Sequence, residues 1–391
     1  MNKKILFILP KFEFGGTVFS TLNMISMLSQ YYDIKVLPMV SYGPVKNTYS
    51  GVTLLDSNKI IEAVFIRRNE IENNCLLICF IKLLNRIFNF LGISLLRFIY
   101  PIIARRLMRE NKFDFVVSCQ EGDSTEFLSY FSGVKKIAWF RSEYSVYRTR
   151  HTQKFEHRLH KIYSCIDNVV CVSKITRDDF VNWFPEMQHK TIAIHNIQNI
   201  DKIIQQSRDK EDIIDKECFS IISVGRFAPQ KRFSSIPQIA NQLIQKGCRF
   251  KWYIIGDGNI EGEMDRFNSQ QYTYATNDYV ISLGSRVNPY PYIANANLLV
   301  ITSSYEACPR VVAEAQILNT PVISSDFSSA KEFVNDRTYG IVDTLENLYL
   351  HIARYINDRD YYEDIYKKCQ NVPFANTEVL EQLLNLFQNV N

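Results

Sequence analysis

The chain has no CxxC pair and no Cys/His cluster. Its nine cysteines (Cys75, Cys79, Cys119, Cys165, Cys171, Cys218, Cys248, Cys308 and Cys369) are odd in number, scattered, and often set in apolar runs. That excludes a disulfide framework and a structural zinc site, and it reads as reduced thiols in a cytoplasmic protein. A strong charge of one sign is also lacking. The net charge is only +4 over 391 residues, too small to make nucleic acid the partner. No uncharged run approaches the ~20 apolar residues that span a bilayer. The opening "MNKKILFILPKFEFGG" is too short an apolar run for export, ends at Pro10, and has no small-residue cleavage site, so a first β-strand is expected there. The GxGxxG dinucleotide fingerprint is absent. The DxD pair Asp358 and Asp360 falls in the polar stretch "NDRD", where surface charge is the expected reading and no metal is called for.

What is present is a normal globular balance, 46% hydrophobic and 22% charged, in a chain long enough for two cores. Short apolar, β-rich runs recur at 3–10, 33–40, 113–120, 135–141, 168–173 and 190–196, separated by helix-length segments. They are continuous rather than alternating, which suits strands buried on both faces of a parallel sheet. The series is interrupted by the charged stretch 201–218 and then restarts at 219–226, 250–257, 279–285, 296–304, 320–326 and 339–343. This predicts an α/β chain of two Rossmann-like, doubly wound halves. The expected division is an N-terminal domain over 1–205, a second over 206–355, and a helical segment over 356–391 that packs back on the N-terminal domain.

Ligands of open α/β sheets sit beyond the carboxyl ends of the strands, so the residues there carry the functional reading. Gly15 and Gly16 follow the first strand and precede a helix; a tight turn and an anion site are both open readings. In "GRFAPQKR", Gly225 and Arg226 end a strand and Lys231 stands just beyond, two cations suited to a diphosphate. "IIGDGN", with Gly256, is a second glycine-rich strand end. In "SSYEACPRVVAEAQ", Glu306 lies at a strand end and Ala307, Cys308 and Pro309 form a turn. Arg310 and Val311 open a helix that carries Glu314. Two acceptor-only carboxylates so placed can meet different hydroxyls of one extended ligand.

Together "GRFAPQKR", "IIGDGN", "LGSRVNPYPYIANANLLVITSSYEACPRVVAEAQILNTPVISSD" and "YGIVD" resemble the C-terminal domain of family-four retaining glycosyltransferases of the GT-B fold. The likeness runs along most of residues 1–343 and is strongest over 219–343. It implies two domains facing a central cleft, and a nucleotide-diphosphate sugar, a UDP-sugar in the first instance, as donor. Glu306 would contact the transferred sugar and Glu314 the ribose. Arg226 and Lys231 would hold the diphosphate in place of a metal. Gly15 and Gly16 would approach the donor from the other domain, and Gly225, Gly256, Arg286 and the backbone from Ala307 to Val311 would complete the donor site. Retention would follow from front-side attack by the acceptor, with no cofactor. The chain departs from the family pattern at Ala307 and Asn319, where glycines are usual, and at Arg141 in "KKIAWFRSEYS", where a histidine is usual. An arginine fork there suits either a carboxylate on the donor or a nearby protein acid such as Glu143. The alternatives to transfer are a sugar-nucleotide epimerase and a non-catalytic nucleotide-sugar-binding protein.

One local absence remains. No acid occurs between Glu72 and Glu110, while Lys82, Arg86, Arg97, Arg105, Arg106 and Arg109 are interspersed with apolar and aromatic residues. Residues 73–109 therefore read as a peripheral contact with the inner face of the cell membrane, near where a glycan or polyprenyl-diphosphate-linked acceptor would arrive. A core helix pair with a basic outer face is the competing reading.

Overall fold

The computed structural model describes residues 2–12, 15–40, 53–56, 61, 64, 76–90, 94–148, 153–210, 213–334, 340–371, 374 and 376–388. It divides into two units, one of residues 1–197 with 377–391 and the other of residues 198–376.

The first unit is built on a seven-stranded parallel sheet in the order β3-β2-β1-β4-β5-β6-β7. Its strands are β1 (Lys4–Lys11), β2 (Asp33–Val40), β3 (Thr53–Leu54), β4 (Phe115–Ser118), β5 (Lys135–Phe140), β6 (Asn168–Cys171) and β7 (Thr191–Ala193). The helices are α1 (Gly16–Leu28), α2 (Leu76–Phe90), α3 (Leu96–Asn111), α4 (Asp123–Ser129), α5 (Tyr144–Arg148), α6 (Gln153–Ser164) and α7 (Lys174–Trp183). All six strands expected in this half are present. The strand missed is β3, two residues at the sheet edge paired only with β2, too short to leave a pattern. Ile5 to Leu9 are all fully buried, which is why β1 reads as an unbroken apolar run.

The second unit carries a six-stranded parallel sheet in the order β10-β9-β8-β11-β12-β13. It opens with α8 (Ile200–Gln206), capped by the Asn199 side chain, which accepts from the Lys202 N–H. Strands β8 (Phe219–Val224), β9 (Phe250–Ile255), β10 (Val280–Gly284), β11 (Leu298–Ile301), β12 (Val322–Ser325) and β13 (Gly340–Asp343) alternate with α9 (Ile236–Gln245), α10 (Glu263–Tyr274), α11 (Tyr290–Asn295), α12 (Arg310–Ile317) and α13 (Ala330–Val334). The strand order reverses between β8 and β11, the switch point at which doubly wound sheets open a crevice. The buried Ser223 hydroxyl links neighbouring strands, donating to the Val300 carbonyl at 2.7 Å and accepting from the Trp252 indole at 3.1 Å.

The division falls before α8 rather than at residue 205, because α8 packs on α11 and α12 of the second unit. The C-terminal helices part company. The buried residues of α14 (Leu348–Asn357) and α15 (Arg359–Asn371), Ile352, Ile365 and Cys369 among them, join the second core. Helix α16 (Thr377–Gln388) belongs to the first unit. There Phe387 is fully buried, edge-on to Phe115 at 5.3 Å, and Lys3 donates to the Gln388 carbonyl at 2.7 Å. Asp358 and Asp360 lie where α14 gives way to α15; Asp358 accepts from the Tyr361 N–H and sits 3.8 Å from Arg354.

Candidate donor site at the strand ends of the second unit

The carboxyl end of β8 is shaped by glycines. A Cβ on Gly256 would stand 1.7 Å from the Gly225 carbonyl oxygen, so no other residue fits where the ends of β8 and β9 meet. A Cβ on Gly225 would meet the Lys231 stem at 3.1 Å, because that side chain lies across it. The loop after β8 is anchored by Phe227, edge-on to Phe233 at 5.1 Å and to Phe267 at 5.3 Å.

Lys231 closes a single 3₁₀ turn, Pro229–Lys231. Arg232 follows in the left-handed region at φ 50° and turns inward. Its guanidinium donates to the carbonyls of Thr302 at 2.8 Å and Ser303 at 2.7 Å, just beyond β11. Burial pulls its pKa below the ordinary arginine value, with the Asp326 and Glu346 carboxylates opposing. Arg232 thus fastens one strand-end loop to the other. Gln230 adds to the seam, giving its amide to the Tyr305 carbonyl at 2.8 Å and receiving the Ser304 N–H at 2.8 Å. Arg226 stays exposed.

The result is that Lys231 meets Glu306. Their charged atoms are 2.5 Å apart, and Ser303 donates to the same Glu306 Oε1 at 2.8 Å. The Glu306 backbone carbonyl is held by the Ser329 hydroxyl at 2.5 Å, so the carboxylate is fixed at both ends. Glu306 is 8% exposed. Among the described residues both hydrogen bonds to this carboxylate fall on Oε1, which leaves Oε2 to a ligand.

Beyond Glu306 the chain turns through Ala307, Cys308 and Pro309, and α12 begins at Arg310 as expected. Pro309 sits at the N-cap in an extended conformation, where its missing N–H costs nothing. Ala307 is not among the residues with positive φ, so glycine is not required there. Asn319 is at φ 59°, a left-handed position that asparagine tolerates better than most residues. Both departures from the family pattern thus have a conformational explanation. One turn into α12, Glu314 is 6% exposed and accepts from Arg310 at 2.7 Å. Arg286 folds back on its own loop, donating to the Tyr292 hydroxyl at 3.1 Å and to the Ser285 carbonyl at 3.1 Å.

The remaining candidates lie in the first unit. Gly15 precedes α1 with an extended backbone at φ 170°, and an added Cβ would meet nothing within 4 Å. Gly16 is the first residue of α1. Arg141 follows β5, and its guanidinium spans three elements. It donates to the Cys119 carbonyl at 2.6 Å, the Asn196 side chain at 2.8 Å and Thr21 on α1 at 3.3 Å. The Arg141 backbone N–H donates to Glu121 at 2.9 Å, and the adjacent Ser142 hydroxyl also donates to that carboxylate. Burial raises the neighbouring Cys119 thiol to about 12 despite the guanidinium beside it.

The sequence reading named Lys231, Glu306 and Glu314 as candidates but not the residues bonded around them. Arg232, Gln230 and Ser303 act through backbone carbonyls and a shared carboxylate oxygen, contacts that no spacing rule reveals. Among the described residues no group of histidines, cysteines and carboxylates is placed to hold a metal ion.

Two parallel Rossmann-like sheets in tandem are the architecture of the GT-B fold. Residues 204–372 match the family Glycosyl transferases group 1. An uncharacterized glycosyltransferase of Methanocaldococcus jannaschii is 25% identical over 80% of this chain and 73% of its own length. A poly(ribitol-phosphate) alpha-N-acetylglucosaminyltransferase of Staphylococcus aureus is 21% identical over 57% of this chain and 44% of its own. Among solved structures, Anabaena HepE in complex with UDP and glucose superposes with a TM-score of 0.72 at 16% identity, covering 98% of this chain and 99% of that one. An S. aureus TarM variant in complex with fondaparinux, alpha-GlcNAc-glycerol and UDP does so with 0.74 at 15%, covering 99% and 100%. The chain has the GT-B fold of these solved structures.

Proposed function

We propose that the protein moves a sugar, with retention, from a nucleoside-diphosphate donor to a glycan or lipid-linked acceptor in surface-polysaccharide synthesis. The observation that carries this reading is the Lys231–Glu306 pair at the switch point of the second sheet, beside the close approach of Gly225 and Gly256. UDP in the HepE and TarM complexes supports a uridine donor. A lipid-linked acceptor is favoured by a relative from Campylobacter jejuni, named as an N-acetylgalactosaminyltransferase acting on a diphospho-undecaprenol glycan, 26% identical over 48% of this chain.

In this reading Arg226 and Lys231 neutralise the departing diphosphate and do the work of a divalent cation. Glu306 orients the sugar through Oε2 and Glu314 takes the ribose. The acceptor hydroxyl attacks C1 on the face the phosphate leaves. The C1–O bond to phosphate breaks, the C1–O bond to the acceptor forms, and the acceptor proton passes to the departing phosphate oxygen. Catalysis is then positioning and charge stabilisation. Arg141 braces the ends of β4 and β5, α1 and the segment after β7. At least three of its five N–H groups are spent on protein acceptors, which favours a neutral sugar over a uronate.

A peripheral membrane contact fits the same function. On α3, Phe98, Ile102, Arg105 and Arg109 recur at helical spacing on one face and are exposed, Ile102 to 69%, while Leu96, Tyr100 and Ala104 are buried on the other. On α2, Phe80, Leu83 and Ile87 are each about half exposed beside Arg86. Residues 73–75 and 91–93 of the proposed contact lie outside the described residues. Among the described residues no helix is long and apolar enough to cross a membrane.

The test is turnover of UDP-glucose, UDP-N-acetylglucosamine and UDP-glucuronate in EDTA, followed as released UDP with and without lipid-linked glycan acceptors. Release from a neutral donor, stimulated by acceptor, is expected. Tight donor binding without release would favour a binding protein, and interconversion of free UDP-sugars an epimerase.

A further inference from the structure

Arg232 is held in a conformation that its residue type does not favour. Its backbone lies in the left-handed region at φ 50° and ψ 38°, where glycine is at ease and a residue with a Cβ is strained. The conformation is fixed from both ends. The Arg232 N–H donates to the Pro229 carbonyl at 3.2 Å, and the Arg232 carbonyl accepts from the Ser235 hydroxyl at 2.6 Å. Strain of this kind persists only where the surroundings over-determine it, and such positions cluster at functional sites.

The side chain has a specific task. Nε and Nη2 form a fork on two successive carbonyls just beyond β11, those of Thr302 at 2.8 Å and Ser303 at 2.7 Å. The Ser303 carbonyl also accepts from the buried Ser325 hydroxyl at 2.6 Å. With its backbone so gripped, the buried Ser303 donates its hydroxyl to Glu306 Oε1 at 2.8 Å. The tie is returned at the neighbouring residue, where the Thr302 hydroxyl donates to the Lys231 carbonyl at 2.6 Å. Lys231 and Ser303 thus reach one carboxylate oxygen from two loops, and the guanidinium sets the backbone of the second loop. A planar fork spans two carbonyls in a way that a lysine ammonium does not.

We propose that Arg232 is a positioning residue for the transfer step: through the backbone of Thr302 and Ser303 it aims the Ser303 hydroxyl at Glu306 and holds that carboxylate where the donor sugar meets it. The inference rests on the proposed role of Glu306 and adds the group that keeps it in place. Lys231 has anchors that do not involve the guanidinium, namely the Thr302 hydroxyl and, one residue earlier, the Ser304 N–H on the Gln230 carbonyl at 2.8 Å. The influence of Arg232 therefore falls on the sugar-facing carboxylate rather than on the cation assigned to the diphosphate. A displacement of about 1 Å at such a group can lower the rate by about a hundredfold.

The experiment compares the wild type with Arg232→Gly, Arg232→Lys, Ser303→Ala and the double variant Arg232→Gly with Ser303→Ala, each checked for folding by thermal unfolding. Glycine suits the left-handed backbone, so Arg232→Gly removes the fork and relaxes the strain together. Calorimetric titration of UDP is read beside kcat for UDP release from UDP-glucose or UDP-N-acetylglucosamine, whichever the wild type turns over faster, with a polyprenyl-diphosphate-linked glycan as acceptor. Arg232→Gly should lower kcat at least about tenfold and keep UDP affinity within about threefold of wild type, with Arg232→Lys between the two. The double variant should lie within about threefold of the slower single variant, because both changes act through one carboxylate. A purely structural role would leave the kcat of the folded variant unchanged, or lower kcat and UDP affinity by the same factor. Either result overturns the inference alone, as does a double variant whose loss is the product of the single losses. Where the glycine variant does not fold, an unchanged kcat in Arg232→Lys overturns it. Absence of turnover of both sugar nucleotides by the wild type overturns the transfer reading and the inference with it.

Discussion

Lys231 and Glu306 stand 2.5 Å apart although 75 residues separate them, and the pair joins the loop after β8 to the loop after β11. A lysine and a glutamate assigned to different parts of one ligand are therefore in contact with each other. The lysine neutralises a carboxylate that would otherwise be buried and unpaired, and the carboxylate keeps the lysine over Gly225. In the proposed function, donor diphosphate competes with Glu306 for the ammonium.

Lys231→Met should separate the two roles. Loss of the ammonium leaves Glu306 buried with only Ser303 as a donor, which should destabilise the protein by about 1–3 kcal/mol. Turnover should fall by at least about a hundredfold, as for loss of a group that stabilises developing charge. The double variant Lys231→Met with Glu306→Gln should recover stability, because the uncompensated charge is gone, and should not recover turnover. Thermal unfolding and initial rates check both halves.

The two glutamates should fail differently. Glu314→Ala should weaken nucleotide binding, since ribose contacts persist from ground state to product. Glu306→Ala should chiefly lower kcat, because it touches the sugar whose charge develops. Titration of UDP alongside steady-state kinetics makes the comparison, and equal losses of UDP affinity in the two variants would contradict the assignment.

Gly256→Ala tests the fold of the site rather than its chemistry. The new Cβ would fall 1.7 Å from the Gly225 carbonyl, and the obstacle is backbone that cannot swing aside. The ends of β8 and β9 must then separate, at a cost of at least about 2 kcal/mol. A melting temperature within one degree of wild type would show that the strand ends are not in this arrangement.

The exposed face of α3 should carry membrane binding. The wild type should sediment with vesicles containing anionic lipid and be released as salt rises. Phe98→Asp with Ile102→Asp should abolish sedimentation while leaving turnover of a soluble acceptor unchanged. The core-helix reading instead expects no sedimentation by the wild type at any salt concentration.

Much of this molecule could be read in the sequence, and the limits have physical causes. Strands buried on both faces are written as continuous apolar runs, so twelve of the thirteen strands among the described residues were legible; the exception, Thr53–Leu54, forms a two-residue edge. The start of α12 was legible because Pro309 can occupy an N-cap but not a helix interior. The boundary between units was less so, since the composition shift at 201–218 marks exposed chain whereas the division follows packing, and α8 is packed on the second unit. Within the site, charges at strand ends could be found by position. Their partners could not, because Arg232 bonds carbonyls 70 and 71 residues away and Arg141 reaches across three elements.

The central claim, that the strand ends of the second unit hold a nucleoside diphosphate through Lys231 without a metal, is tested most directly by calorimetric titration of UDP in EDTA. The wild-type protein should bind one UDP per chain, and Lys231→Met should bind it at least about tenfold more weakly, the scale of one charge-assisted hydrogen bond. Undetectable binding to the wild type in EDTA, or equal affinities in the two proteins, would contradict the account.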